Sequence, residues 1–235
     1  IVSINEEEAV IVGTVNSHTW DDADIMVVKM NANGDVINQR VYERAKKAYG
    51  DGQSAYKETG NTITYNRDKN ALAIAGVHTK KPEGVCTDAD YIHIIGLEVD
   101  YNTLNVNWTY TYDIGIEYPF TQPWLFCADI AYNADKRQYG IVGYAKNDLF
   151  GKALNYNGFF LELEDAGPST TLRYYGDSGD DFLHEITTGD VNSYVLGGTY
   201  FGDEKNNAWI VESYQAIEEN CRSVVSKHKT LGYKL

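Results

Sequence analysis

One signal recurs four times along the chain, a short apolar strand that ends in glycine. The copies are Val10-Ile11-Val12-Gly13, Leu72-Ala73-Ile74-Ala75-Gly76, Gly140-Ile141-Val142-Gly143 and Val195-Leu196-Gly197-Gly198. Their final glycines lie 63, 67 and 55 residues apart. Before each copy, across a polar turn, stands another short strand: Val2-Ser3-Ile4, Thr62 to Tyr65, Ala128 to Tyr132 and His184 to Thr187. After each copy comes a strand rich in β-branched or aromatic residues, Ile25 to Lys29, Tyr91 to Ile95, Phe159 to Leu163 and Ala208 to Val211. Three units continue into an alternating fourth strand, Val36 to Tyr42, Val106 to Tyr112 and Thr171 to Tyr175, and the last unit points to one around Arg222 to Ser226. Alternation at period two, and no helical periodicity, makes these strands of a sheet.

The turns agree with the strands. Asn33-Gly34 supplies the positive φ of a tight hairpin between the third and fourth strands of the first unit. Asp165-Ala166-Gly167 and Asp100-Tyr101-Asn102 stand at the same place in the third and second units. Four antiparallel strands repeated every 50 to 70 residues predict an all-β chain, a β-propeller of four repeats of four strands. The alternatives are another multi-sheet β architecture or a part of a larger propeller. The units run approximately over 1–44, 61–113, 127–176 and 182–226, in a propeller-like domain of residues 1–214, with the last strand and tail in 215–235. The strand-ending glycine is expected where neighbouring sheets come too close for a Cβ.

On these residues the chain resembles the Asp/Gly-rich propeller repeats of secreted and cell-surface proteins. The likeness is carried by Tyr174-Tyr175-Gly176-Asp177-Ser178-Gly179-Asp180-Asp181, by Asp24-Ile25-Met26-Val27-Val28-Lys29 and by Asn33-Gly34-Asp35-Val36, and spans about residues 1–214. Such repeats imply a non-catalytic scaffold or binding domain.

Charge narrows the partners. With 20 Lys+Arg against 34 Asp+Glu the net charge is −14, which speaks against nucleic acid, whose phosphates require clustered cations. No apolar run approaches the ~20 residues of a membrane span. The chain opens at Ile1 without Met or leader, as a processed or excerpted product would, and carries one sequon, Asn107-Trp108-Thr109. Asn107 is therefore a glycosylation candidate, and an extracellular location, secreted or on the cell surface, is expected.

In a propeller the loops from strand two to three and from blade to blade share one face. Here those loops hold 17 acids against 9 bases and the aromatic residues Trp20, Tyr118, Phe120 and Trp124, which suit glycan or cation binding. Asp22, Asp24, Asp88 and Asp90 precede third strands as Asp-x-Asp pairs, and offer Ca2+ oxygen ligands or simple Asx turns; otherwise no cofactor is expected. Of the three cysteines, Cys86 and Cys127 fall towards that face in adjacent blades and form the one disulfide candidate. The five histidines show no spacing that selects a metal or a base.

Three functions fit. First stands a non-catalytic structural or adhesive extracellular module in a surface or fibre assembly, partnered by copies of itself or other surface proteins. Second is a carbohydrate-binding propeller using the acidic, aromatic loop face. Last is a glycosidase-type enzyme, for which no motif selects a carboxylate pair.

Overall fold

The computed structural model describes residues 1–16, 23–42, 56–80, 91–113, 125–147, 155–176, 179–190, 192–202 and 205–214. These residues form four antiparallel sheets, each in sequential strand order. Blade 1 holds β1 (Val2–Ser3), β2 (Glu8–Asn16), β3 (Ala23–Asn31) and β4 (Val36–Tyr42). Blade 2 holds β5 (Tyr56–Asn66), β6 (Ala71–Lys80), β7 (Tyr91–Asp100) and β8 (Val106–Tyr112). Blade 3 holds β9 (Leu125–Asn133), β10 (Gln138–Asn147), β11 (Asn155–Glu164) and β12 (Ser169–Tyr175). Blade 4 holds β13 (Asp180–Thr188), β14 (Ser193–Gly202) and β15 (Lys205–Tyr214). The expected fourth strand near 222–226 lies outside the described residues. The second unit starts earlier than the sequence pattern suggests, because β5 reaches back to Tyr56 and pairs it with Lys80.

The fold is a β-propeller. First strands of successive blades meet along an inner axis, β5 against β9 and β9 against β13. Asp129 ties three of them together: it accepts from Thr62 Oγ1 at 3.1 Å and from the backbone N–H of Ile186 at 3.2 Å. Three apolar clusters fill the seams. Val10, Ile25 and Val27 of blade 1 pack on Ile74, Ile95 and Leu97 of blade 2. Ala73, Ala75 and Ile94 of blade 2 pack on Tyr139, Ile141 and Phe159 of blade 3, and Val142 and Phe160 pack on Leu183, Tyr194 and Leu196 of blade 4.

The strand-ending glycines have a different cause from the one the sequence suggests. A Cβ on Gly76 would stand 1.7 Å from the Thr59 carbonyl oxygen, and one on Gly143 would stand 1.9 Å from that of Phe126. Both oxygens belong to the first strand of the same blade, not to a neighbouring sheet. At this point the first strand carries a bulge: the register skips a residue between Gly60 and Thr62, between Cys127 and Asp129, and between Leu183 and Glu185. The bulge drives a carbonyl towards the second strand, and only hydrogen fits opposite it. In blade 1, β1 pairs only Val2 with Val10 and Ser3 with Ala9, and Gly13 has open space where its Cβ would be. Close approach of sheets does govern Gly60, whose Cβ would meet Val12 at 2.7 Å and Ile25 at 3.0 Å across the first seam.

The turns on the lower face follow from asparagine and aspartate chemistry. Asn66 Oδ1 accepts from the N–H groups of Asp68 and Lys69, and Asn133 Oδ1 accepts from that of Lys136. Their amide groups reach the next blade, Asn66 Nδ2 to the Tyr139 hydroxyl at 2.8 Å and Asn133 Nδ2 to the Ser193 carbonyl at 3.0 Å. One side chain thus closes a turn and fastens a seam. Asn31 Oδ1 likewise accepts from Asn33 N and Asp35 N around Gly34, whose φ is +86°. No helix among the described residues is long and apolar enough to cross a membrane.

Candidate functional site

Strand direction places the start of each first and third strand, and the end of each second and fourth, on the upper face. Two side-chain groups near that face carry candidate chemistry.

The first lies where blades 3 and 4 meet beside the axis. Phe126 and Tyr144 are cross-strand partners whose rings stack with centroids 5.3 Å apart. Tyr144 meets Phe182 of blade 4 edge-on at 4.8 Å and Tyr156 at 5.9 Å, and Phe182 stacks on His184 at 6.0 Å. Phe126 is 42% exposed, so the cluster is a platform open to solvent and not a buried core. Polar groups surround it. His184 Nε2 lies 3.0 Å from Thr199 Oγ1, Lys146 Nζ sits 5.8 Å from the Tyr156 ring centre, and Asp180 Oδ1 accepts from Tyr156 N at 3.0 Å. Burial raises the pKa values of the Tyr144 and Tyr156 phenols, with the Asp180 charge adding to the second, so both hydroxyls stay protonated at neutral pH. An open aromatic surface ringed by a carboxylate, an ammonium and hydroxyls can stack a sugar ring and hydrogen-bond its rim.

The second group is a row across blade 2. Glu58, His78 and His93 occupy one register line over β5, β6 and β7. His78 Nδ1 lies 3.1 Å from Glu58 Oε1, and the His78 and His93 rings stack at 6.4 Å. Glu58 and His78 are buried, and Glu58 borders a groove of about 340 Å³ between blades 1 and 2. Arg40, Tyr42, Leu97, Thr109 and Thr111 also line the groove. Arg40 donates to the Leu104 carbonyl at 3.2 Å and to Asn105 Oδ1 at 2.6 Å, and Tyr42 donates to the same Leu104 carbonyl at 3.0 Å. Burial pushes the Tyr42 phenol up to about 12 against the pull of Arg40.

The sequence-derived candidates fall as follows. Trp20, Tyr118, Phe120 and Trp124 lie outside the described residues, as do Asp22, Asp88, Asp90 and Cys86. Asp24 is buried in β3, 5% exposed, and pairs with Val15. Among the described residues no three His, Cys, Asp or Glu side chains converge as a metal site. Asn107 is an exposed residue of β8, skipped in the register with β7, and donates through Nδ2 to Glu98 Oε1 at 3.1 Å.

Cys127 is a free, fully buried thiol, and its expected disulfide partner Cys86 lies outside the described residues. Its Sγ donates to the Gly76 carbonyl at 3.1 Å in the seam between blades 2 and 3, and burial raises its pKa. The histidine row escaped the sequence reading because His78 and His93 are neighbours only once β6 and β7 are in register. The pairing that aligns Leu72 with Val99 also sets His78 opposite His93, and only this register brings the two rings together.

Fold and upper face define a four-sheet β-propeller with an open aromatic platform. No family model matches the chain, and no curated protein matches it in sequence. Its structure is similar to that of the Hadza microbial sialidase Hz136, with a TM-score of 0.56 at 9% identity over 90% of this chain and 44% of that one. The chain thus spans less than half the length of that neighbour, and the likeness is one of fold. Weaker similarity reaches an N-acetylgalactosamine deacetylase from F. plautii, solved with blood group B trisaccharide (TM-score 0.42, 10% identity, 88% of this chain and 66% of that one). The β-propeller domain of the Trilobed protease from Pyrococcus furiosus follows (TM-score 0.29, 10% identity, 87% and 65%).

Proposed function

We propose that this chain is a non-catalytic, extracellular carbohydrate-binding propeller that holds a glycan on its upper face at the seam of blades 3 and 4. The observation that carries the reading is the aromatic platform of Phe126, Tyr144, Tyr156 and Phe182, open at Phe126 and bordered by Asp180, Lys146 and His184. Sugar rings present C–H faces that stack on aromatics, while their hydroxyls pair with charged and polar rims. The acidic balance of the upper loops favours neutral or amino sugars over acidic ones. The neighbour named as a sialidase supports a glycan as the ligand class, and the resemblance to Asp/Gly-rich repeats of surface proteins supports a non-catalytic binding domain without selecting a ligand.

The test is calorimetric titration of the purified chain with neutral, amino and sialylated oligosaccharides. Binding to at least one neutral or amino glycan is expected, weakened about tenfold or more in Phe126→Ala and Tyr144→Ala. Affinity unchanged in both variants, or binding of none of the three classes, overturns the proposal.

A further inference from the structure

The groove between blades 1 and 2 lies where the sequence departs from the plan of the next seam. The first three blades align position by position from their strand-ending glycines, since Gly13 pairs with Met26, Gly76 with Ile95 and Gly143 with Phe159. Ile95, paired with Thr111, thus stands where blade 3 has Phe159 paired with Tyr174, and Thr109 stands where blade 3 has Leu172. On the opposite wall Arg40 of β4 takes the place that Tyr110 of β8 holds one seam on. The row Glu58, His78 and His93 of blade 2 corresponds to Leu125, Ala145 and Asn157 of blade 3. At the seam of blades 2 and 3, Phe159, Tyr174 and Leu125 join one filled apolar cluster. At the seam of blades 1 and 2, smaller or charged residues stand at those places and leave the groove of about 340 Å³. The seam of blades 3 and 4 keeps an arginine and a carboxylate at two of these places, Arg173 and Asp181. There Arg173 donates to Ser213 Oγ at 2.9 Å, and no fourth strand of blade 4 is among the described residues.

The lining suits a ligand with unlike ends. Its walls are aliphatic: Ile25, Ile95 and Leu97 are at most 4% exposed, and Val41 and Val106 stand at the mouth at 38% and 46% exposure. Sugar rings stack on aromatic faces, so aliphatic walls select a hydrocarbon side chain instead. Arg40 and Glu58 add one cation and one anion. Both bonds that fasten Arg40 to the β7–β8 turn leave from Nη1, and a guanidinium carries five N–H donors in a fork that matches a carboxylate. A carboxylate offers about four acceptor positions, so the contact of Glu58 with His78 Nδ1 does not by itself exhaust it. By register Arg40 stands level with Gly96 and Glu58 with His93, a separation of about 10 Å along the strands. The ligand's two charges therefore lie at its opposite ends, which a free α-amino acid cannot offer and an extended peptide of about three residues can.

We propose that this groove binds a short aliphatic peptide with free ends, its C-terminal carboxylate on Arg40 and its amino group on Glu58. The Thr109 and Thr111 hydroxyls line the same groove and can bond the peptide backbone. The site is separate from the aromatic platform, which lies at the seam of blades 3 and 4.

The test is calorimetric titration of the purified chain with Ala-Leu-Ala, its C-terminal amide and its N-acetyl form. Ala-Leu-Ala is expected to bind at one site per chain, and blocking either end to weaken binding about tenfold or more. Thr111→Tyr installs the residue that blade 3 carries and fills the groove, so affinity should fall about tenfold or more in a variant that circular dichroism shows folded, with glycan binding unchanged. Arg40→Gln should bind Ala-Leu-Ala and its amide equally, and it decides the question together with the blocked peptides if Thr111→Tyr does not fold. No binding of Ala-Leu-Ala, equal affinity for its three forms, or full affinity in a folded Thr111→Tyr overturns the proposal. Peptide binding by a chain that binds no glycan would remove the proposed function and leave this site standing.

Discussion

Tyr139 is the sharpest probe of how the blades are held together. Its ring is fully buried in the seam of blades 2 and 3, against Tyr132 at 5.0 Å and Trp108 at 6.1 Å. Its hydroxyl donates to Glu98 Oε2 and accepts from Asn66 Nδ2 at 2.8 Å, and both partners are at most 1% exposed. Burial, with the Glu98 carboxylate beside it, keeps the phenol protonated at any working pH, so the donor is always present. Tyr139→Phe preserves the ring and removes only the oxygen. The bond to a carboxylate is worth about 1.5–3 kcal/mol and the neutral bond from Asn66 about 1 kcal/mol. Glu98 keeps Asn107 at 3.1 Å and Lys69 at 3.6 Å, which softens the loss. A net cost of about 3 kcal/mol is expected, or roughly 6–12 °C in Tm for a chain of this size. Tyr194→Phe is the internal control: that hydroxyl makes one neutral bond, to the Gln138 carbonyl at 2.9 Å, and its loss should cost about 1 kcal/mol. Both are read by urea unfolding followed by tryptophan fluorescence. A Tyr139→Phe variant no less stable than Tyr194→Phe refutes the claim that the Tyr139–Glu98–Asn66 chain fastens the seam.

Further expectations follow from the same geometry. Gly76→Ala places a methyl 1.7 Å from the Thr59 carbonyl and should cost about 3 kcal/mol or more, whereas Gly13→Ala, with open space, should be neutral or gain about 0.5 kcal/mol; thermal melts of the two decide. The Asp100 carboxyl titrates below its ordinary range, chiefly because the Thr103 N–H donates to it and then because the Thr103 hydroxyl does. Its folded pKa being depressed, the stability it confers is present above the unfolded value of about 3.9 and is lost as pH falls through the folded value. Asp100→Ala should therefore flatten the acid limb of a stability–pH curve, and an unchanged limb would contradict the assignment. Cys127, buried with a raised pKa, should resist iodoacetamide in the native protein and label on unfolding, as peptide mass mapping would read.

What the sequence made legible was whatever depends on neighbours along the chain. Asn33-Gly34 dictates a hairpin through its own backbone, and the turn stands where expected with φ +86° at Gly34. Alternation dictates which residues point together, and so the strands and their order could be read. Contacts that require two sheets, or three strands in register, carry no local trace. Glu58, His78 and His93 are separated by 20 and 15 residues, and only the β5–β6 and β6–β7 pairings set them in line. The aromatic platform was hidden for the same reason: Phe126, Tyr144, Tyr156 and Phe182 come from four strands, each of which looks like ordinary apolar sheet.

The recurrent glycine shows how a correct reading can rest on the wrong force. Its period revealed the propeller, yet in blades 2 and 3 the steric demand arises inside the blade, where a bulged first strand pushes a carbonyl at the second. That demand is local to one sheet, so it survives wherever a full first strand is present and lapses where it is not. Gly13 keeps the residue without the obstacle, because β1 pairs only at Val2 and Ser3. Blade 1 therefore keeps the glycine of an internal blade with no bulged carbonyl opposite it among the described residues, and Gly13→Ala against Gly76→Ala separates the two cases directly.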